Sequence, residues 1–180
     1  SIANEHKINI AKNFSIGMFF LNTDPTKRKA SMKIVEKVVE EHDFVLAGWR
    51  DVPTDEKICG DDALKTLPHI SQAFINPPEQ INKEDIESKL LIIRRKIEIL
   101  ISKTNDDIFY ITSLSSKVIL YKGMIMPKHL AKFYLDLSNK KLETSLCVFH
   151  QRFSTNTTPQ WSLAQPFRML AHNGEINTIR

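Results

Sequence analysis

Two short stretches near one end of the sequence hold side chains that could act together on a small molecule. The first is His150-Gln151-Arg152-Phe153-Ser154-Thr155-Asn156-Thr157. On a strand, alternate side chains share a face, so His150 and Arg152 point the same way, and Ser154 joins them if the strand continues. A guanidinium at a strand end, followed by Ser-Thr-Asn-Thr, suits a small carboxylate. Arginine supplies a two-pronged charge-assisted contact, and hydroxyls or backbone amides complete the shell. A strand-end arginine in a salt bridge beside a polar turn would have the same composition. The second stretch is Ala171-His172-Asn173-Gly174-Glu175-Ile176-Asn177-Thr178. Asn-Gly after a short apolar run is first of all a hairpin turn. The same pair can also form an oxyanion hole, with a side-chain amide and a backbone amide donating to the charge that develops on an attacked carbonyl. Glycine there permits close backbone approach.

The elements that must position these groups are legible from periodicity. Phe14 to Leu21 is a short apolar run and reads as a buried strand. Asp24-Pro25 then supplies an N-cap and a first-turn proline. Ala30, Ile34, Val35, Val38 and Val39 follow at helical spacing. Phe44 to Trp49 reads as a second strand and His69 to Ile75 as a third, closed by Pro77-Pro78. Asn82 caps the next helix, whose apolar stripe is Ile86, Leu90, Ile93, Ile97 and Ile101. Ile108 to Ile111 and Lys117 to Tyr121 read as two strands around a serine-rich turn. Pro127 opens a short helix through Tyr134. Leu146 to Phe153 and Arg168 to Ala171 are the last strands. Strands and helices alternate irregularly, which favours a layered α+β domain over a sandwich or a helical bundle.

Composition narrows the function classes. The chain has 180 residues, is 42% hydrophobic and 26% charged, and carries a net charge of +4. Acids interleave with the basic residues, as in Lys27 to Asp43, which marks solvated helix faces rather than a nucleic-acid stripe. No apolar run approaches membrane-spanning length. Residues 1–20 lack the basic-then-apolar pattern of a secretory signal. Cys59 and Cys147 sit far apart without metal-ligand spacing, which fits a reducing compartment better than a disulfide framework. The sequence starts at Ser1 without an initiator methionine and stops at Arg180 where a helix is beginning, so both ends read as interior to a longer protein.

Taken together, the two stretches say more than either alone. H-x-R-x-S-T, then a loop containing Pro159 and Trp161, then A-H-N-G, resembles the class II glutamine amidotransferases, which are N-terminal-nucleophile hydrolases. The wording between them, Ser154 to Thr157, Leu163 to Phe167 and Ala171 to Thr178, is similar to the large subunit of the glutamate synthase group. So are the upstream phrases Gly48 to Pro53, Pro68 to Gln72 and Ser113 to Met124.

The resemblance implies a set of roles. Arg152 would hold the α-carboxylate of glutamine, with Thr155 assisting. Asn173 and Gly174 would form the oxyanion hole. An aspartate holding the substrate amino group would lie beyond Arg180. The family's nucleophile is an N-terminal cysteine whose own amino group is the base. Here it would lie upstream, with Ser1 an arbitrary cut. Cys59, in a Cys-Gly pair, is internal and lacks a free α-amino group. Cys147 is expected to pack mid-strand as a small apolar residue. The implied fold is a four-layer αββα sandwich, incomplete at both ends, with residues 1–180 forming part of one amidotransferase domain. The full enzyme would add FMN and an iron–sulfur cluster, none of which this chain holds. It would draw electrons from ferredoxin or a small electron-donating subunit, and would work in the cytoplasm, or in a plastid in a photosynthetic eukaryote. Its partners would be L-glutamine and the rest of the same polypeptide, with no nucleic acid and no membrane. Trp161 reads either as a loop-closing residue or as packing, and Tyr121-Lys122-Gly123 either as part of the pocket floor or, the favoured reading, as a strand running into a turn. The rivals are another class II amidotransferase, a non-catalytic glutamine sensor and a basic RNA-binding domain.

Overall fold

The computed structural model describes Ala3, residues 6–152 and residues 158–167. The chain divides into two compact units, residues 1–51 with 68–119, and residues 52–67 with 120–180.

The first unit is built on four strands: β1 (Ser15–Leu21), β2 (Val45–Asp51), β3 (His69–Asn76) and β4 (Tyr110–Ser115). They form one sheet in the order β2-β3-β1-β4, and every neighbouring pair is antiparallel. Helix α1 (Pro25–Glu40) joins β1 to β2, and helix α3 (Lys83–Ile101) joins β3 to β4. Two split β-α-β units therefore interleave, so that β3 lies between β1 and β2 while β1 lies between β3 and β4. Phe19, Leu21, Ala73 and Ile75 meet Val35, Val38 and Val39 of α1 and the Ile86-Leu90-Ile93-Ile97-Ile101 stripe of α3 in one core. The α+β class agrees with the sequence. The described residues hold one sheet, and the second sheet of a four-layer sandwich is not among them.

Local chemistry explains where the elements start and stop. Asp24 caps α1 through its Oδ1, which accepts the amides of Thr26 at 2.7 Å and Lys27 at 3.1 Å. The Lys27 and then the Thr26 amide hold its carboxyl below the ordinary aspartate range. Asn82 occupies the N-cap position of α3 but makes no side-chain capping bond. The apolar stripe of α1 departs from the sequence expectation at one point. Ala30 is exposed and Ser31 is buried. Its Oγ donates to Asp106 Oδ2 at 2.6 Å, which satisfies the hydroxyl inside.

Three expected strands need correction. Residues Ile108 and Phe109 do not open β4, because their amides both point at Asp106 Oδ1, 3.3 Å away, and the chain turns there before the ladder begins at Tyr110. Lys117 to Tyr121 forms no strand. Ser115 Oγ accepts the amides of Lys117 and Val118 at 3.0 and 3.1 Å, and Glu87 Oε1 takes the Ser116 amide at 2.7 Å. Those donors are consumed locally and cannot pair across a sheet. The stretch expected as a strand from Leu146 to Phe153 has no ladder partner among the described residues. Leu146, Val148 and Phe149 are 73–76% exposed there, and Cys147 is exposed rather than packed. An apolar alternation becomes a strand only when a neighbour satisfies its backbone. The expected strand Arg168 to Ala171 lies outside the described residues.

The second unit includes helix α2 (Asp61–Lys65) and helix α4 (Leu130–Phe133), with short 3-10 turns at Glu56–Ile58, Pro127–His129 and Leu135–Ser138. An isolated bridge pairs Thr54 with Tyr134. The Asp55 amide donates to the Phe133 carbonyl at 2.9 Å, and the Leu135 amide to the Pro53 carbonyl at 3.1 Å. These bonds staple the 52–67 segment to the turn around Phe133 and Tyr134, both of which are fully buried.

Candidate functional site

Arg152, the residue expected to grip a carboxylate, is exposed at the end of the irregular 142–152 segment. His150 lies beside it, also exposed. Thr155, Asn173 and Gly174, the remaining candidate site residues, lie outside the described residues, as do Ser154 and His172. The stretch between the two candidate segments is described from Thr158 to Phe167, and it is firmly seated.

Its seat is the irregular segment Tyr121-Lys122-Gly123. The Trp161 indole is 5% exposed, and its Nε1 donates to the Ala63 carbonyl of α2 at 3.1 Å. The ring packs against Phe133, centroids 5.7 Å apart. It also covers Gly123 so closely that a Cβ there would collide with Trp161 Cζ3. Lys122 is 2% exposed. Its Nζ donates to the Ser162 carbonyl at 2.8 Å and sits 4.7 Å above the Phe167 ring. The segment is itself braced. Tyr134 donates its hydroxyl to the Lys122 carbonyl at 2.7 Å, and Tyr121 donates to Asp136 Oδ2 at 3.1 Å. Of the two sequence readings of Trp161, packing is the one observed. The burial of Lys122 was not foreseen. Its signal was a lysine directly after the apolar run Val118-Ile119-Leu120-Tyr121, where an ordinary surface lysine has no reason to sit.

Cys59 offers no activated thiol. Burial pushes the Cys59 thiol up, and the carboxylates of Glu56 and Asp55 push it the same way. A thiol kept protonated is a poor nucleophile. Cys147 is exposed on the 142–152 segment. Among the described residues, no three His, Cys, Asp or Glu side chains converge as a metal site.

Two of the family-like phrases prove to be partners within the sheet. Arg50 lies opposite Gln72 and Asp51 opposite Ser71 in the β2–β3 register. Arg50, 4% exposed, donates to Gln72 Oε1 at 2.6 Å. Asp51 Oδ1 accepts from Ser71 Oγ at 2.9 Å and lies 2.8 Å from His69 Nε2. Partial burial pushes the Asp51 carboxyl up, but the bonds from His69 and Ser71 outweigh it and hold the carboxyl below its ordinary range. A cleft of about 430 Å³ in the first unit, lined by residues including Lys12, Phe14, Lys83 and Lys117, contains none of the candidate site residues.

Comparison with known proteins identifies the family. The family model described as glutamine amidotransferases class-II matches residues 1–180. The chain is 41% identical over 166 residues to ferredoxin-dependent glutamate synthase 1, chloroplastic/mitochondrial, of Arabidopsis thaliana, covering 92% of this chain and 10% of that protein. It is 42% identical over 167 residues to the glutamate synthase [NADPH] large chain of Azospirillum brasilense, covering 92% and 11%. It is 41% identical over 164 residues to ferredoxin-dependent glutamate synthase 2 of a Synechocystis strain, covering 91% and 10%. The chain thus spans about a tenth of the length of these relatives.

Proposed function

The chain belongs to the class II glutamine amidotransferases, and from that membership we propose that it is part of the glutamine-hydrolysing domain of a glutamate synthase. The observation that carries this reading is the family match over all 180 residues, joined to H-x-R-x-S-T followed by A-H-N-G in one chain. Residues 1–180 would form part of one such domain, whose complete form would be the four-layer αββα sandwich.

In this reading Arg152 takes the α-carboxylate of L-glutamine through paired N–H donors, with Thr155 adding a hydroxyl. A thiolate attacks the side-chain amide carbon. The oxygen of the tetrahedral intermediate is received by the Asn173 side-chain amide and the Gly174 backbone amide. The departing nitrogen leaves as ammonia once it is protonated, and water then releases glutamate from the thioester. Cys59 and Cys147 do not supply that thiolate, because the attacking group needs an amine base at its own α-carbon and neither internal cysteine has one.

The ammonia would serve reductive amination of 2-oxoglutarate elsewhere in the enzyme. FMN and an iron–sulfur cluster belong to that part. Two cysteines are too few for a cysteine-ligated cluster, so this chain would not hold it. The electrons would come from ferredoxin or a small electron-donating subunit, in the cytoplasm or a plastid. No helix among the described residues is long and apolar enough to cross a membrane.

The test uses L-glutamine labelled with 15N at the side-chain amide and the polypeptide that carries this chain. Labelled ammonia and glutamate in equal amounts are expected. Asn173→Ala should lower kcat by about 100- to 1000-fold, the usual consequence of losing one oxyanion donor. Ammonia release unaffected by that substitution would overturn the reading.

A further inference from the structure

Lys122 is an expensive residue to bury. An ammonium removed from water must be repaid by bonds at its new position, and a lysine has three donors to place. Here it is 2% exposed, and one donor goes to a backbone carbonyl, that of Ser162, 2.8 Å away. The Phe167 ring lies beneath the same ammonium at 4.7 Å. Gly123 presses against the benzo ring of Trp161, and the Trp161 Nε1 is fastened to α2. The segment that does this clasping is braced by Tyr134 and Asp136. The grip falls on Trp161, Ser162 and Phe167, so it holds a stretch of chain with no regular secondary structure of its own.

That stretch has a particular place in the sequence. Arg152 precedes it and Asn173-Gly174 follow it. Twenty residues of chain separate Arg152 from Asn173. Fixing Trp161 to Phe167 leaves a shorter length of chain between one common point and each group, which lowers the entropy lost when both meet one ligand.

Resting on the glutamine reading above, we propose that Lys122, Gly123 and Trp161 form a clasp that positions both arms of the glutamine site, the carboxylate-binding arm at Arg152 and the oxyanion arm at Asn173-Gly174. These are positioning residues and touch no substrate. An anchor shared by two arms predicts a joint defect. Loosening it should raise KM for glutamine through the Arg152 arm and lower kcat through the Asn173-Gly174 arm. A substitution that merely destabilised the protein would leave both constants of the folded fraction unchanged.

The experiment uses the polypeptide carrying this chain in a Trp49→Phe background, so that within this chain only Trp161 emits. Lys122→Met removes the ammonium while keeping an unbranched stem, Lys122→Arg keeps a cation, and Gly123→Ala adds the one carbon that Trp161 forbids. Lys122→Met and Gly123→Ala are expected to shift the Trp161 emission to the red and to lower kcat/KM for glutamine about 10- to 100-fold, the scale of a small misplacement. KM and kcat should both contribute, and Lys122→Arg should recover part of the loss. Gly123→Ala perturbs by a single methyl and gives the second route if Lys122→Met fails to fold. A red shift with unchanged glutamine kinetics would overturn the proposal, as would unshifted emission in both variants. Arg152→Ala is the companion control. If it leaves KM unchanged, the glutamine reading fails and the clasp's role fails with it. If it raises KM while the Lys122 and Gly123 variants behave as wild type, the clasp alone is wrong.

Discussion

Ser31 on α1 and Asp106 on the turn before β4 are joined by a 2.6 Å hydrogen bond, although they lie 75 positions apart in sequence. Asp106 gathers more than this one donor. Asn22 Nδ2 reaches its Oδ1 at 3.0 Å, and the amides of Ile108 and Phe109 approach the same oxygen. The carboxylate therefore ties the end of β1, the first turns of α1 and the entry to β4 into one point.

This hub makes the stability of the first unit depend on acid. Partial burial of Asp106 pushes its carboxyl up, but the bonds from Ser31 and Asn22 and the two amides outweigh it and leave the pKa lowered. A depressed carboxylate stabilises the fold above the unfolded pKa, about 3.9, and that contribution disappears as pH falls through the lower folded value. Asp106→Asn should lower Tm at pH 7 and bring the Tm of variant and parent closer together at the acid end. Thermal melts across pH 2–7 check this. A gap that stays constant with pH would contradict it.

The Arg50–Gln72 pair is buried between β2 and β3. Gln72→Leu removes an acceptor from a charged donor and should cost about 1.5–3 kcal/mol of stability. Chemical denaturation measures it. A neutral or stabilising result would mean the pair contributes nothing to holding the two phrases together.

The helical stripe of α3 gives a simpler expectation. Ile93 is fully buried in the core of the first unit. Ile93→Ala should cost about 2–5 kcal/mol through lost transfer energy and the cavity left behind. Its exposed neighbour Ile92 changed to Ala should lie within about 0.5 kcal/mol of the parent. Equal effects at the two positions would mean the helix is rotated from the orientation described.

These elements also show what could be read from the sequence. The α3 stripe matched residue for residue, because a 19-residue amphipathic pattern leaves little freedom. In α1 the stripe ran through Ser31 rather than Ala30, because the acceptor that makes a buried serine tolerable lies 75 residues away. The strand expected at 117–121 failed because Ser115 and Glu87 capture its amides, a side-chain competition that hydrophobicity does not record. Of the candidate site, Arg152 stands in the sequence as part of a motif, and the structure places it exposed at the end of the 142–152 segment, with Thr155, Asn173 and Gly174 outside the described residues. The clasp beneath Trp161 was not legible in the sequence, because it depends on Ala63, Lys122 and Ser162 meeting across long sequence separations.

The cysteines should differ in reactivity. Cys147 is exposed, whereas Cys59 is partly covered and its thiol is held protonated by burial and by Glu56 and Asp55. Ellman's reagent near pH 8 should modify Cys147 first and Cys59 more slowly. In the polypeptide carrying this chain, Cys59→Ser and Cys147→Ser should each leave glutamine hydrolysis within about twofold of the parent, since the nucleophile needs an α-amino base that neither has. Loss of activity in Cys59→Ser with the fold intact would reassign the nucleophile.

The assignment of Arg152 is tested most directly by comparing L-glutamine with its decarboxylated analogue, 4-aminobutanamide. In the polypeptide carrying this chain, Arg152→Ala should lower kcat/KM for glutamine by about 10- to 100-fold, the scale of a lost bond to a charged group. It should leave turnover of the analogue, which has no carboxylate to grip, nearly unchanged. Equal losses on both compounds would contradict a carboxylate-binding role for Arg152.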